Sequence, residues 1–152
     1  MSDVAPFDPE RLIRALSHHR VKFVLIGALA ARLHGFPRLT ADADITPADD
    51  KRNLERLAAA LKELDARVYT ESVPEGLAFD RSAAALGRAR MWNLVTTAGR
   101  LDIAVEQNIL MAREPARPSI NSGSGHGREL FGWMRRAVGP ADAGACALFE
   151  TS

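Results

Sequence analysis

The run Ile26-Gly27-Ala28-Leu29-Ala30-Ala31-Arg32-Leu33-His34-Gly35, then Arg38-Leu39-Thr40-Ala41-Asp42-Ala43-Asp44-Ile45, constrains this chain more than any other segment. An apolar stretch enters a glycine and a short Ala/Leu helix. After a turn, two carboxylates appear one residue apart in a strand-like stretch. Side chains on a strand alternate faces, so Asp42 and Asp44 point the same way. Two carboxylates on one face repel each other unless a cation lies between them. At an element's end and opposite a glycine turn, the pair suits a divalent cation better than a structural role. The plainer alternative is a solvated strand end or a cluster of helix N-cap residues.

The flanking pattern places this segment in an alternation of helices and strands. Asp8-Pro9-Glu10 is a helix start, with Asp8 as N-cap, Pro9 at the first helical position and Phe7 and Leu12 spaced as a hydrophobic staple. Leu12, Ile13 and Leu16 make its apolar stripe, which fades near His18-His19-Arg20. Val21 to Ile26 reads as a buried strand, and Ala28 to Leu33 as a short helix closed by Gly35, with Pro37 barring its continuation. Thr40 to Ile45 is a second strand. A longer helix starts between Pro47 and Asp50, because Leu54, Leu57, Leu61 and Leu64 line one helical face. Arg67 to Thr70 suits a third strand. Residues 71–90 are ambiguous, with a helical turn at 81–86. Trp92 to Thr97 and Leu101 to Val105 read as strands joined through Ala98-Gly99-Arg100, a tight hairpin that brings in Asp102.

Beyond Arg113 the character changes. Pro115, Pro118 and the run Asn121-Ser122-Gly123-Ser124-Gly125-His126-Gly127 show no periodicity. Glu129 to Val138 can form one short helix, and Gly139 to Ser152 shows no clear element. The expected organisation is a folded domain over residues 1–110 and a low-complexity, loosely packed tail over 111–152. The pattern alone implies an α/β or α+β domain, a small mixed sheet flanked by helices.

Composition closes off several alternatives. The 152 residues suffice for one domain with a real core, and a net charge of +1 announces no nucleic-acid or membrane surface. The single Cys146 forms no internal disulfide and lacks the spaced partners of a zinc site. No apolar stretch reaches the ~18 residues of a membrane span, and no basic-then-apolar leader opens the chain, so a cytoplasmic protein is expected. Arginine far outnumbers lysine, which occurs only as Lys22, Lys51 and Lys62. Together with abundant alanine, this skew reflects a GC-rich bacterial genome rather than chemistry.

Taken as a set, Ile26-Gly27-Ala28, His34-Gly35, Arg38, Thr40, Asp42-Ala43-Asp44, Asn53-Leu54-Glu55-Arg56-Leu57 and Gly99-Arg100-Leu101-Asp102-Ile103 resemble the nucleotidyltransferase superfamily with the DNA polymerase β-type catalytic fold. The resemblance is to its small bacterial members, the minimal and abortive-infection, toxin–antitoxin nucleotidyltransferases, and covers residues 9 to about 105. It implies a polymerase-β-like fold, an NTP substrate such as ATP, a two-metal Mg²⁺ site, and a hydroxyl acceptor on a protein, RNA or small molecule. A cognate antitoxin is an implied partner. Carried over, Asp42, Asp44 and Asp102 would bind the metals, and Asp102 would also help take the nucleophile's proton. Gly27, Ala28, Arg38 and Thr40 would contact the nucleotide.

The chemistry accounts for these residue types. Nucleotidyl transfer needs an activated hydroxyl, a neutralised pyrophosphate and both held in line, and two cations bridged by carboxylates serve all three needs. The chain departs from the family pattern twice. Ala28 stands where Ser or Gly commonly follows the glycine, and no lysine-containing Arg-Pro-Lys-Asp-like segment follows the third Asp. A rival reading from another class is a catalytically silent binding or antitoxin-like module that keeps the fold. An antibiotic-modifying nucleotidyltransferase would need a substrate-binding domain for which no segment is seen. Single residues have plainer readings too: Asp102 paired with Arg100 or Arg38, Gly35 as a C-cap, His34 packing at a helix end, and His18, His19 and His126 at the surface.

Overall fold

The computed structural model describes residues 4–33, 39–105 and 147–149. Its first helix, α1 (Pro9–His18), starts where the Asp8 carboxylate accepts the Arg11 N–H at 3.0 Å. Phe7 packs on the core that receives Leu12, Ile13 and Leu16, as the staple spacing requires. After β1 (Phe23–Ile26) the chain turns directly into α2 (Gly27–Leu33), and then forms β2 (Asp42–Pro47). The strand runs past Ile45 because Pro47 pairs with Phe23 of β1, and a proline at a strand end gives up no needed ladder bond.

Helix α3 (Lys51–Glu63) is capped by Asp50, which accepts the Asn53 N–H at 2.9 Å. Its Leu54, Leu57 and Leu61, with Leu64 at the C-cap, are buried as the spacing predicts. Strand β3 (Arg67–Thr70) follows, then β4 (Val73–Leu77) and α4 (Ala83–Arg88), both within the stretch that the sequence pattern leaves ambiguous. Pro74 and Gly76 hide β4 from a propensity reading; an edge strand tolerates both. The hairpin of β5 (Met91–Thr96) and β6 (Gly99–Ala104) turns through Thr97 and Ala98, one residue earlier than expected. Here Gly99 holds φ at +97°, and a Cβ on it would lie 2.7 Å from the Phe7 Cα.

Strand β7 (Ala147–Phe149) pairs antiparallel with β1, in a stretch where the sequence shows no element. The rest of the tail expected over 111–152 lies outside the described residues. The single mixed sheet has the order β4-β3-β5-β6-β2-β1-β7, in which β2 and β6 are parallel and the other pairs antiparallel. Alternate residues Leu25, Ala43, Ile45, Leu94, Leu101 and Ile103 face α1 and α3 and form the core with them. The fold is thus mixed α and β, with helices over the sheet. Among the described residues no helix is long and apolar enough to cross a membrane.

Candidate functional site

The core-facing residues of β2 and β6 determine what the other face presents. Asp44 pairs in register with Asp102, and Asp42 with Arg100, while Ala43 and Ile45 pair with Leu101 and Ile103. Because the apolar set is buried against the helices, Asp42, Asp44, Arg100 and Asp102 share the opposite face, each half-buried. Neighbouring strands run ~4.8 Å apart, which puts the Asp44 and Asp102 backbones side by side. The parallel β2–β6 pairing is what unites carboxylates nearly sixty positions apart in the chain.

On the other flank of β2, Asp44 pairs with Ile26, the residue before Gly27. Gly27 holds φ at +73°, and a Cβ built on it would collide with the Asp44 Oδ2. The carboxylate therefore rests on a bare glycine Cα, a position no other residue accommodates without strain. Ala28 follows in the first turn of α2, half-buried. Thr40 holds Asp42: its hydroxyl lies 2.8 Å from both the Asp42 carboxylate and carbonyl oxygens, and the Asp42 N–H donates back to it at 3.3 Å. Arg38, His34 and Gly35 lie outside the described residues.

The electrostatics carry the mark of crowded like charges. Burial raises the Asp44 carboxyl above the ordinary aspartate value, and Asp42 raises it further. Burial also raises that of Asp102; Arg100 opposes the shift, and Asp44 and Asp42 add to it. No basic side chain among the described residues forms an ion pair with the three. Arg100 lies over the Tyr69 ring instead, with its guanidinium carbon 4.2 Å from the centroid. The pairing of Asp102 with Arg100 that the sequence leaves open is therefore absent as a contact. The Asp102 Oδ1 and the Arg100 Nε are both buried without a hydrogen-bond partner.

A divalent cation fits this donor set in chemistry: three oxygen-bearing side chains, one with an orphaned buried oxygen, and a glycine that lets one of them lie flat. The carboxylates are nonetheless not drawn together. Among the described residues, no group of three or more His, Cys, Asp or Glu side chains is arranged to hold a metal ion. Like charges spread apart, and Asp42 is drawn onto Thr40. Two cavities, one of about 300 Å³ beside Arg11, Arg14 and Glu63, the other beside Asp65, Arg67 and Glu75, are lined by none of the three aspartates.

Tyr69 of β3 and Asn93 of β5 belong to the same face, Asn93 pairing directly with Asp102. Sequence reasoning missed both. The signal that could have found them is the two-residue alternation of β3 and β5 once their pairing with β6 is known. No family model, curated protein or solved structure matches the chain.

Proposed function

We propose that this protein is a Mg²⁺-dependent nucleotidyltransferase of polymerase-β-like fold, moving a nucleoside monophosphate from an NTP to a hydroxyl acceptor. The observation that carries the reading is the in-register pairing of Asp44 with Asp102 beside Asp42, with an unpartnered buried oxygen on Asp102. The resemblance of the Gly27 turn and the Asp42-Ala43-Asp44 strand to that superfamily supports it. Asp42, Asp44 and Asp102 would hold Mg²⁺, which when bound neutralises phosphate charge and favours the ionised nucleophile. Asp102 would have a further role on the nucleophile side, helping to take the proton of the attacking hydroxyl. Thr40 orients Asp42, and Gly27 leaves room for Asp44 and a close-lying phosphate. ATP is the proposed donor, cytoplasm the proposed compartment, and a toxin–antitoxin pair with a cognate antitoxin the proposed setting.

One observation favours the rival reading, a silent module that keeps the fold: the carboxylates are not gathered into a metal-holding group. Incubation with labelled NTPs, Mg²⁺ and a cell extract separates the two. The enzyme reading expects label transferred to an acceptor by the wild type and none by Asp44→Asn. A silent module transfers none in either case and binds Mn²⁺ no better than the variant does.

A further inference from the structure

Arg100 shares the face of the three aspartates and, among the described residues, makes no ion pair with any of them, whereas Arg67, farther along the same face on β3, is taken up by Asp65. Arg100 stands in register with Asp42 and two residues before Asp102, so its side chain leaves the sheet beside both. Its guanidinium is instead stacked on Tyr69, with 4.2 Å between its central carbon and the ring centroid. Stacking fixes the plane of the fork and leaves its edge N–H groups as donors. One of these, at Nε, is buried with no acceptor. A buried charged donor without a partner is costly, and so is a buried carboxylate oxygen without one; Asp102 supplies the latter on the same strand and face. Direct pairing would satisfy both groups at once, yet the ring holds the guanidinium aside.

A ligand that brings an anionic oxygen to the Arg100 Nε and a cation to the Asp102 Oδ1 satisfies both orphans together. A metal-bound phosphate has that bipolar character. We propose that Arg100, pre-set by Tyr69, is the phosphate-holding residue of this site and takes an oxygen of the NTP's phosphate chain. This rests on the nucleotidyltransferase reading above and adds to it a residue outside the acidic set. Tyr69 is a positioning residue in this account, acting only through the guanidinium.

The test measures Mn²⁺ alone, Mn²⁺ with ATP, and adenosine, each by titration calorimetry on the full chain. Arg100→Gln should weaken Mn²⁺–ATP at least about tenfold, the loss of one charge-assisted hydrogen bond. Mn²⁺ alone should bind as well or better, because a positive charge beside the carboxylates is gone. Adenosine, lacking phosphate, should be unaffected. Tyr69→Phe should keep wild-type affinity and Tyr69→Leu should lose part of it. Should Arg100→Gln fail to fold, Arg100→Lys serves: it keeps charge and stem, loses the Nε donor, and should weaken Mn²⁺–ATP. Equal Mn²⁺–ATP affinity in wild type and the folded Arg100 variant overturns the role of Arg100 and leaves the nucleotidyltransferase reading standing. A wild type that binds neither Mn²⁺ nor Mn²⁺–ATP overturns both.

Discussion

The Asp44 carboxylate lies against the bare Cα of Gly27, which holds a φ of +73°, so the turn after β1 and the central acid of β2 form one unit. Gly27→Ala adds a Cβ where Asp44 Oδ2 already sits, in a backbone region that costs an L-residue roughly 1–2 kcal/mol by itself. The expected outcome is a loss of about 2–3 kcal/mol in denaturant unfolding, backbone strain and displaced carboxylate together. In an Asp44→Ala background the same change should cost less. A double-mutant cycle that shows no coupling between the two positions contradicts the packing described for them.

Charge relief should appear as a pH-dependent gain. The Asp44 carboxyl is raised by burial and by Asp42, so its ionised form costs the native state stability. A raised carboxyl means that the native state binds more protons than the unfolded one as pH falls toward 3.8, and stability rises in that direction. Asp44→Asn should therefore stabilise at pH 7, by up to roughly 1 kcal/mol, because the partly buried charge and its repulsion from Asp42 on the same strand are both removed. The advantage over wild type should shrink as pH drops toward 4. Thermal melts of both proteins between pH 4 and 7 check the trend, and an advantage that grows on acidification refutes it.

Asp80 should behave in the opposite sense. Its carboxyl is lowered, chiefly by the Ser82 N–H that donates to it at 2.9 Å and by the Ser82 hydroxyl. The stabilisation is complete above the ordinary value of 3.8 and is lost as pH falls through the lowered one. Asp80→Ala should lower the melting temperature at pH 7 and lose that effect at the acid end of the range. Equal melting curves at pH 7 would leave this loop bond without energetic weight.

How much could be read in advance depended on whether the signal was local. Asp8 and Asp50 cap their helices as side-chain chemistry dictates, and the Leu54–Leu64 stripe meets the core, because both are settled within a few residues. The shared face of Asp42 and Asp44 follows from strand alternation alone. That Asp102 lies beside Asp44 depends on a parallel pairing of β2 with β6, and no local pattern specifies the partner of a strand. The seat of Asp44 on Gly27 follows from the β1–β2 pairing and the withdrawal of Arg100 onto Tyr69 from the order β3-β5-β6, long-range outcomes too, while the Thr40–Asp42 bond is a local side-chain choice. Strand β4 escaped notice because Pro74 and Gly76 argue against a strand unless it is known to lie at an edge.

Asn53 illustrates a residue whose motif membership has a structural cause. Its side chain donates to the Lys22 and Ala48 carbonyls, each at 2.9 Å, and accepts the Lys22 N–H at 2.7 Å. It is 1% exposed, so these bonds tie the start of α3 to the chain entering β1 and leaving β2 without help from water. Asn53→Leu keeps similar bulk but strands the Lys22 N–H and the Ala48 carbonyl, while the Lys22 carbonyl still accepts the Ala48 N–H at 3.0 Å. The expected cost is about 2 kcal/mol, at the low end of roughly 1–3 kcal/mol for each of the two unsatisfied groups. Chemical denaturation reads it directly, and a cost below ~1 kcal/mol would mean that the clamp relaxes to other partners.

Strand β7 changes what truncation should do. A tail without an element could be removed after residue 120 with little effect on melting, as the sequence pattern alone suggests. The sheet instead pairs Phe149, Leu148 and Ala147 with Phe23, Val24 and Leu25. Removing β7 turns β1 into an edge, and β1 carries Leu25 in the core and ends at the Gly27 turn that seats Asp44. A chain ending at residue 146 should lose on the order of 2 kcal/mol, about 1 kcal/mol for each ladder hydrogen bond given up. It should also associate at high concentration, since an uncovered inner strand is a template for pairing. Internal deletion of 121–127, which spares β7, should cost less. Measuring melting temperature and sedimentation of both forms against the full chain decides the matter: equal stability of the two deletions would show that β7 adds nothing to β1.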